Sequence, residues 1–104
     1  ERLIHAIECL KQGSDHNEAA FATAAHIVLE FADFYRETKN VVRDSIGISL
    51  CIDGLTYLAN RNVPPGTFKR IIQSLLFFSL ESDEENRELA RKCLTPKPPS
   101  WSID

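Results

Sequence analysis

Three histidines (His5, His16 and His26) and three cysteines (Cys9, Cys51 and Cys93) are the residues of this chain best suited to metal binding or nucleophilic catalysis. A zinc or di-iron site on helices needs ligands one turn apart, as in H-E-x-x-H or E-x-x-H, so that both reach one ion. No two of these histidines are four residues apart, and no carboxylate completes either pattern. A Cys–His nucleophile works as thiolate, and Cys51 stands between Leu50 and Ile52, where desolvation raises a thiol pKa and keeps the group inert. Gly47, Gly54 and Gly66 are too far apart to form a phosphate-cradling loop. These residues therefore nominate no catalytic group, no cofactor and no metal. An enzyme with an unrecognised Cys/His site ranks third among the functional readings. Asp53 is the one acid between Ile46 and Leu58. A buried carboxylate must be paired, so the expectation is an outward position or a partner such as Arg43 or Arg70.

The frame around these groups is a chain of 104 residues, about the size of one domain, with 43% hydrophobic and 26% charged residues. That composition supports a core and is not that of a disordered segment. Twelve Lys plus Arg against fifteen Asp plus Glu give a net charge of -3, which argues against nucleic acid as partner. No apolar run approaches the ~20 residues of a membrane span, and no signal-peptide pattern opens the chain, so no membrane partner is expected. An odd number of cysteines without C-x-x-C favours an intracellular, reducing setting, cytoplasmic or nuclear. The absence of methionine, at position 1 as elsewhere, suggests excision from a longer polypeptide.

Apolar spacing predicts five helices and an all-α fold. Leu3, Ile4, Ala6, Ile7 and Leu10 recur at three and four residues, with Gly13 as a stop. Asp15 and Glu18 resemble a capping box, opening a long helix to about Glu37. Its broad apolar face leaves one polar stripe: His26, Glu30, Asp33 and Glu37. The segment from Val41 to Ala59 is so rich in β-branched residues that part of it competes as strand, but nineteen residues spaced as Ile48, Ile52, Leu55 and Ala59 favour a buried helix. Pro64, Pro65 and Gly66 interrupt the chain. A fourth helix runs from about Thr67 to Leu80, with Phe68, Ile71, Ile72, Leu75, Leu76 and Phe78 inward and Lys69, Arg70, Gln73 and Ser74 outward. Ser82 and Glu85 form an S-x-x-E capping box for a fifth helix ending near Leu94.

The cysteines lie 42 residues apart, twice, and the same offset aligns Ala6 with Ile48 and Ala90, and Leu10 with Ile52 and Leu94. An offset of 44 lays Ile27, Val28, Glu30, Phe31 and Phe34 on Ile71, Ile72, Ser74, Leu75 and Phe78. The period falls in the range of about 40 to 47 residues for HEAT and armadillo-type units, which this chain resembles in period and apolar pattern. The resemblance implies an antiparallel stack, an α-solenoid segment, over residues 1–94, with units of about 1–42 and 43–84 and a third beginning at 85–94. The alternative is a closed five-helix bundle. The very apolar third helix and the Pro64–Pro65 pair depart from the family pattern.

In the family resembled, second helices line a concave surface that meets partners. The 44-residue offset pairs His26 with Arg70, Glu30 with Ser74 and Asp33 with Phe77, and nominates these six as partner-binding. Phe77 beside Arg70 has the character of an interface anchor. The implied function is a non-catalytic protein–protein scaffold whose ends meet neighbouring repeats of a parent chain. The alternative is a self-contained regulatory or oligomerisation bundle. Residues 95–104, with Pro96, Pro98, Pro99 and Trp101, read as a Pro-rich linker or tail.

Overall fold

The structure, a computed structural model, describes residues 2–12, 18–38 and 44–94. These form five helices and no strand: α1 (Arg2–Gln12), α2 (Glu18–Thr38), α3 (Ser45–Ala59), α4 (Pro65–Glu81) and α5 (Glu84–Leu94). The expected features at Gly13, at the Asp15 cap, at 41–43 and in the 95–104 tail lie outside the described residues.

Local chemistry sets the helix ends. The Asp44 carboxylate accepts the Gly47 N–H at 3.1 Å and caps α3, satisfying a donor with no partner inside the helix. Pro65 takes the first position of α4, where its missing N–H costs nothing, so this helix starts two residues before the expected Thr67. The Ser82–Glu85 capping box does not form. Ser82 Oγ instead donates to the Phe78 carbonyl at 2.5 Å and closes the end of α4. Asp83 then precedes α5, its carbonyl accepting from the Arg87 N–H at 2.8 Å. Glu84 and Glu85 in the first turn and Arg91 and Lys92 in the last oppose the α5 dipole with the right signs.

α3 packs against all four other helices, as expected for a helix apolar on nearly every side. α1 touches only α2 and α3, and α5 only α3 and α4, while α2 and α4 touch each other. Thus α1, α3 and α5 form one row with α3 in the middle, and α2 and α4 form a second row against it. The molecule spans 38 × 36 × 20 Å, two helices thick in its shortest dimension.

Buried side chains join the rows: Leu10, Val28, Ile48, Leu55, Ile71, Leu75 and Phe78 are fully enclosed. Gly54 lets α3 approach closely, since a Cβ there would meet Val28 Cγ1 at 3.0 Å and Ile7 Cγ1 at 3.4 Å. Asn86 is fully buried and fully used. It donates to the Ser45 carbonyl at 2.9 Å and Asp83 Oδ1 at 2.7 Å, and accepts from Ser49 Oγ at 2.6 Å, fastening α5 to the start of α3. Leu76, expected inward, is half exposed.

Burial recurs along the chain, with a register that differs between the rows. Ala6, Ile48 and Ala90 are buried 42 residues apart in the first row. In the second row the equivalent buried pairs are Val28 and Ile71, Ala32 and Leu75, and Tyr35 and Phe78, each 43 apart. One residue rotates a helix position by about 100°. The offset of 44 therefore mismatches the α2 and α4 faces by that angle.

Candidate functional site

The outward edges of α2 and α4 meet over a groove of about 380 Å³ lined by Asp33, Arg36, Glu37, Arg70, Gln73 and Phe77. Arg70 Nη2 donates to Asp33 Oδ2 at 2.5 Å, bridging the two helices. Arg36 Nη1 reaches the other Asp33 oxygen at 3.4 Å and Ser74 Oγ at 3.3 Å. One carboxylate thus sits between two guanidinium groups, and all three side chains remain about a third exposed. Phe77 is half-buried, its ring edge-on to that of Phe78 at 5.8 Å. The groove offers a flat aromatic surface beside fixed charges of both signs.

Of the six nominated residues, Asp33, Arg70 and Phe77 are brought together in this groove. His26 and Glu30 lie on the same outward stripe, an exposed pair 3.0 Å apart, outside the groove lining. Ser74 is a correction: it is completely buried beneath the groove, where its hydroxyl meets Arg36. The offset of 44 placed Ser74 opposite the exposed Glu30, whereas the register of burial places Gln73 there. Arg36 and Gln73 were missed as site residues. The signal for Arg36 was its position three residues after Asp33, one turn along α2.

The remaining reactive groups lie outside this groove. Asp53 pairs with Lys11 at 3.1 Å on the exposed side of α3, and Arg70 belongs to Asp33. Arg43 lies outside the described residues. Burial, with a smaller contribution from the Asp44 charge, pushes the Cys51 thiol up from 9.0 to about 12. Tyr35 donates its hydroxyl to Asp44, and burial first, then that bond, raises its pKa well above 10.0. Cys93 Sγ lies 2.8 Å from Thr56 Oγ1 between α5 and α3. His5 and Cys9, one turn apart on α1, line an apolar groove of about 500 Å³ against α2, with the Cys9 thiol donating to the Ala20 carbonyl at 3.6 Å. Among the described residues no group of three or more His, Cys, Asp or Glu could hold a metal ion, and no helix is long and apolar enough to cross a membrane.

Fold and site together define an all-α protein whose five described helices carry a mixed-charge groove with one aromatic edge. No protein-family model, curated protein or solved structure matches the chain.

Proposed function

We propose that this chain is a non-catalytic protein-interaction module, a section of an α-solenoid whose α2/α4 groove receives a protein partner. The carrying observation is the groove itself: Phe77 set beside the Arg70–Asp33–Arg36 cluster, on two helices whose edges leave it open. Aromatic and arginine side chains dominate the energetics of protein interfaces because they bury large areas while keeping directional polar contacts. The stack reading is supported by helices that contact none more than two places away in the chain, by a thickness of two helices and by burial recurring at 42 and 43 residues.

The test compares capture of partners from cell extract by three forms of the module. Arg70→Glu with Phe77→Glu removes the anchor. Asp33→Arg with Arg70→Glu inverts the charges while keeping one ion pair across the helices. We expect specific proteins on the wild type, lost with both variants at unchanged helicity by circular dichroism. Capture unaltered by either variant refutes the groove as the contact surface.

A second reading follows from His5 and Cys9 sharing a groove: thiol chemistry supported by a histidine one turn away. Alkylation of Cys9 decides it. A rate that drops in His5→Ala favours an activated thiol; a rate unchanged in His5→Ala rejects it.

A further inference from the structure

The α2/α4 groove is unevenly supplied with partners along its length. At one end its charges are spent within the chain: Asp33 holds Arg70 across the groove and Arg36 along α2, and Arg36 also donates to Ser74. Further along both helices, Glu37 on α2 and Gln73 and Phe77 on α4 complete the lining. Glu37 and Gln73 are exposed, and neither has a hydrogen-bond or ion-pair partner among the described residues. Glu81 follows Phe77 by four residues, one turn further on the same face of α4, and is likewise exposed and unpaired among them.

This end of the groove and its rim thus carry two carboxylates, an amide and a half-buried ring. Carboxylates flanking an aromatic ring suit a lysine or arginine side chain: the ring packs on its apolar stem and attracts its charge, and the carboxylates accept from its N–H donors. An acidic side chain would meet Glu37 and Glu81, and to reach a cation it would have to displace Asp33 from Arg36 and Arg70. Three carboxylates, Asp33, Glu37 and Glu81, stand against two guanidinium groups, so the groove with its rim is negative, as is the whole chain at -3. A volume of about 380 Å³ suits a single long side chain better than a folded domain.

We propose that the occupant of the α2/α4 groove is a basic peptide segment, one lysine or arginine of which packs its stem on Phe77 and sets its charge between Glu37 and Glu81. This rests on the reading of the groove as the contact surface and adds the chemistry of the partner. The Arg36–Asp33–Arg70 cluster, with one positive charge in excess, repels the same side chain from the other end and so fixes where along the groove it lies. The contact weakens as salt is raised, because its charges remain partly exposed.

Selection of a random peptide library displayed on phage against the intact chain reads this preference. The wild type is expected to enrich peptides that carry lysine or arginine. Affinity for the synthetic peptides is expected to fall roughly 3- to 10-fold in Glu37→Gln with Glu81→Gln. Both positions are exposed, so the fold is retained, which circular dichroism checks. Glu84→Gln with Glu85→Gln removes the same charge from α5 and is expected to leave affinity unchanged. An equal loss in that variant overturns the proposal in favour of a general attraction to an acidic protein. Enriched peptides that lack a basic residue yet lose binding in Phe77→Ala overturn it while the groove reading stands. Peptides that bind Phe77→Ala and the Glu37/Glu81 variant as tightly as the wild type overturn both, as does a selection that enriches no peptide.

Discussion

Cys51 and Tyr35 are neutral groups held in a core that disfavours their anions, and this couples stability to alkaline pH. The folded-state pKa of Cys51 lies above its unfolded value, so the folded protein binds more protons than the unfolded chain between pH 9.0 and about 12. Stability is fully present below pH 9.0 and falls as pH rises through that window, with a limiting slope of about 1.4 kcal/mol per pH unit for one group. Tyr35 shifts in the same direction and steepens the loss above pH 10.0. Denaturant midpoints measured from pH 7 to 11 should fall most steeply at the upper end, and Cys51→Ala should lower the curve near pH 7 and flatten it toward pH 11. Ser74 gives a contrast at the same scale. Removing its buried hydroxyl in Ser74→Ala should cost on the order of 1 kcal/mol of stability and leave partner capture unchanged, whereas Phe77→Glu should abolish capture. The Asp33–Arg70 pair is too exposed to carry much stability, so Asp33→Asn should cost less than about 1 kcal/mol by thermal denaturation.

Between elements, close approach and polar satisfaction decide the packing. A methyl group at Gly54 would press on Val28, a β-branched residue with stiff χ1 and no exposed surface. Gly54→Ala should therefore destabilise by about 1–3 kcal/mol despite its better helix propensity. Combined with Val28→Ala, it should cost less than the two single changes added, a coupling read from urea midpoints. Gly66, in the first turn of α4, meets nothing within 4 Å, so Gly66→Ala should stabilise by roughly 0.4–1 kcal/mol. Asn86→Ala would strip the half-buried Ser45 carbonyl and Ser49 hydroxyl of a partner and should cost about 1–3 kcal/mol, freeing α5 first.

For the molecule as a whole, α3 is the one described helix in contact with all four others, so cooperativity passes chiefly through it. Hydrogen exchange should find α3 the most protected helix, and α5, whose buried residues are Asn86 and Ala90, the least. A closed bundle of this size would instead unfold in a single step with roughly 5 to 15 kcal/mol, all helices exchanging together. A stack with open ends should be weaker than that range, since its end faces leave apolar surface uncovered.

The sequence by itself determined the five helices, because a 3.6-residue apolar period and the Pro64–Pro65 break are local properties that tertiary contacts did not override. It also determined that α3 would be central, through its apolar content, and that Cys51 would be buried and inert. Asp33, Arg70 and Phe77, nominated from charge and aromatic character on outward stripes, are brought together by the fold along one groove. Only the tertiary structure decided the register between α2 and α4, because sequence superposition tolerates a one-residue slip that rotates a helix face by about 100° and exchanges Ser74 for Gln73. Only tertiary structure gave Lys11 to Asp53 and turned Ser82 back onto α4. Such partners are set by which helices lie side by side, and alternative acceptors of similar chemistry are equally near in the sequence.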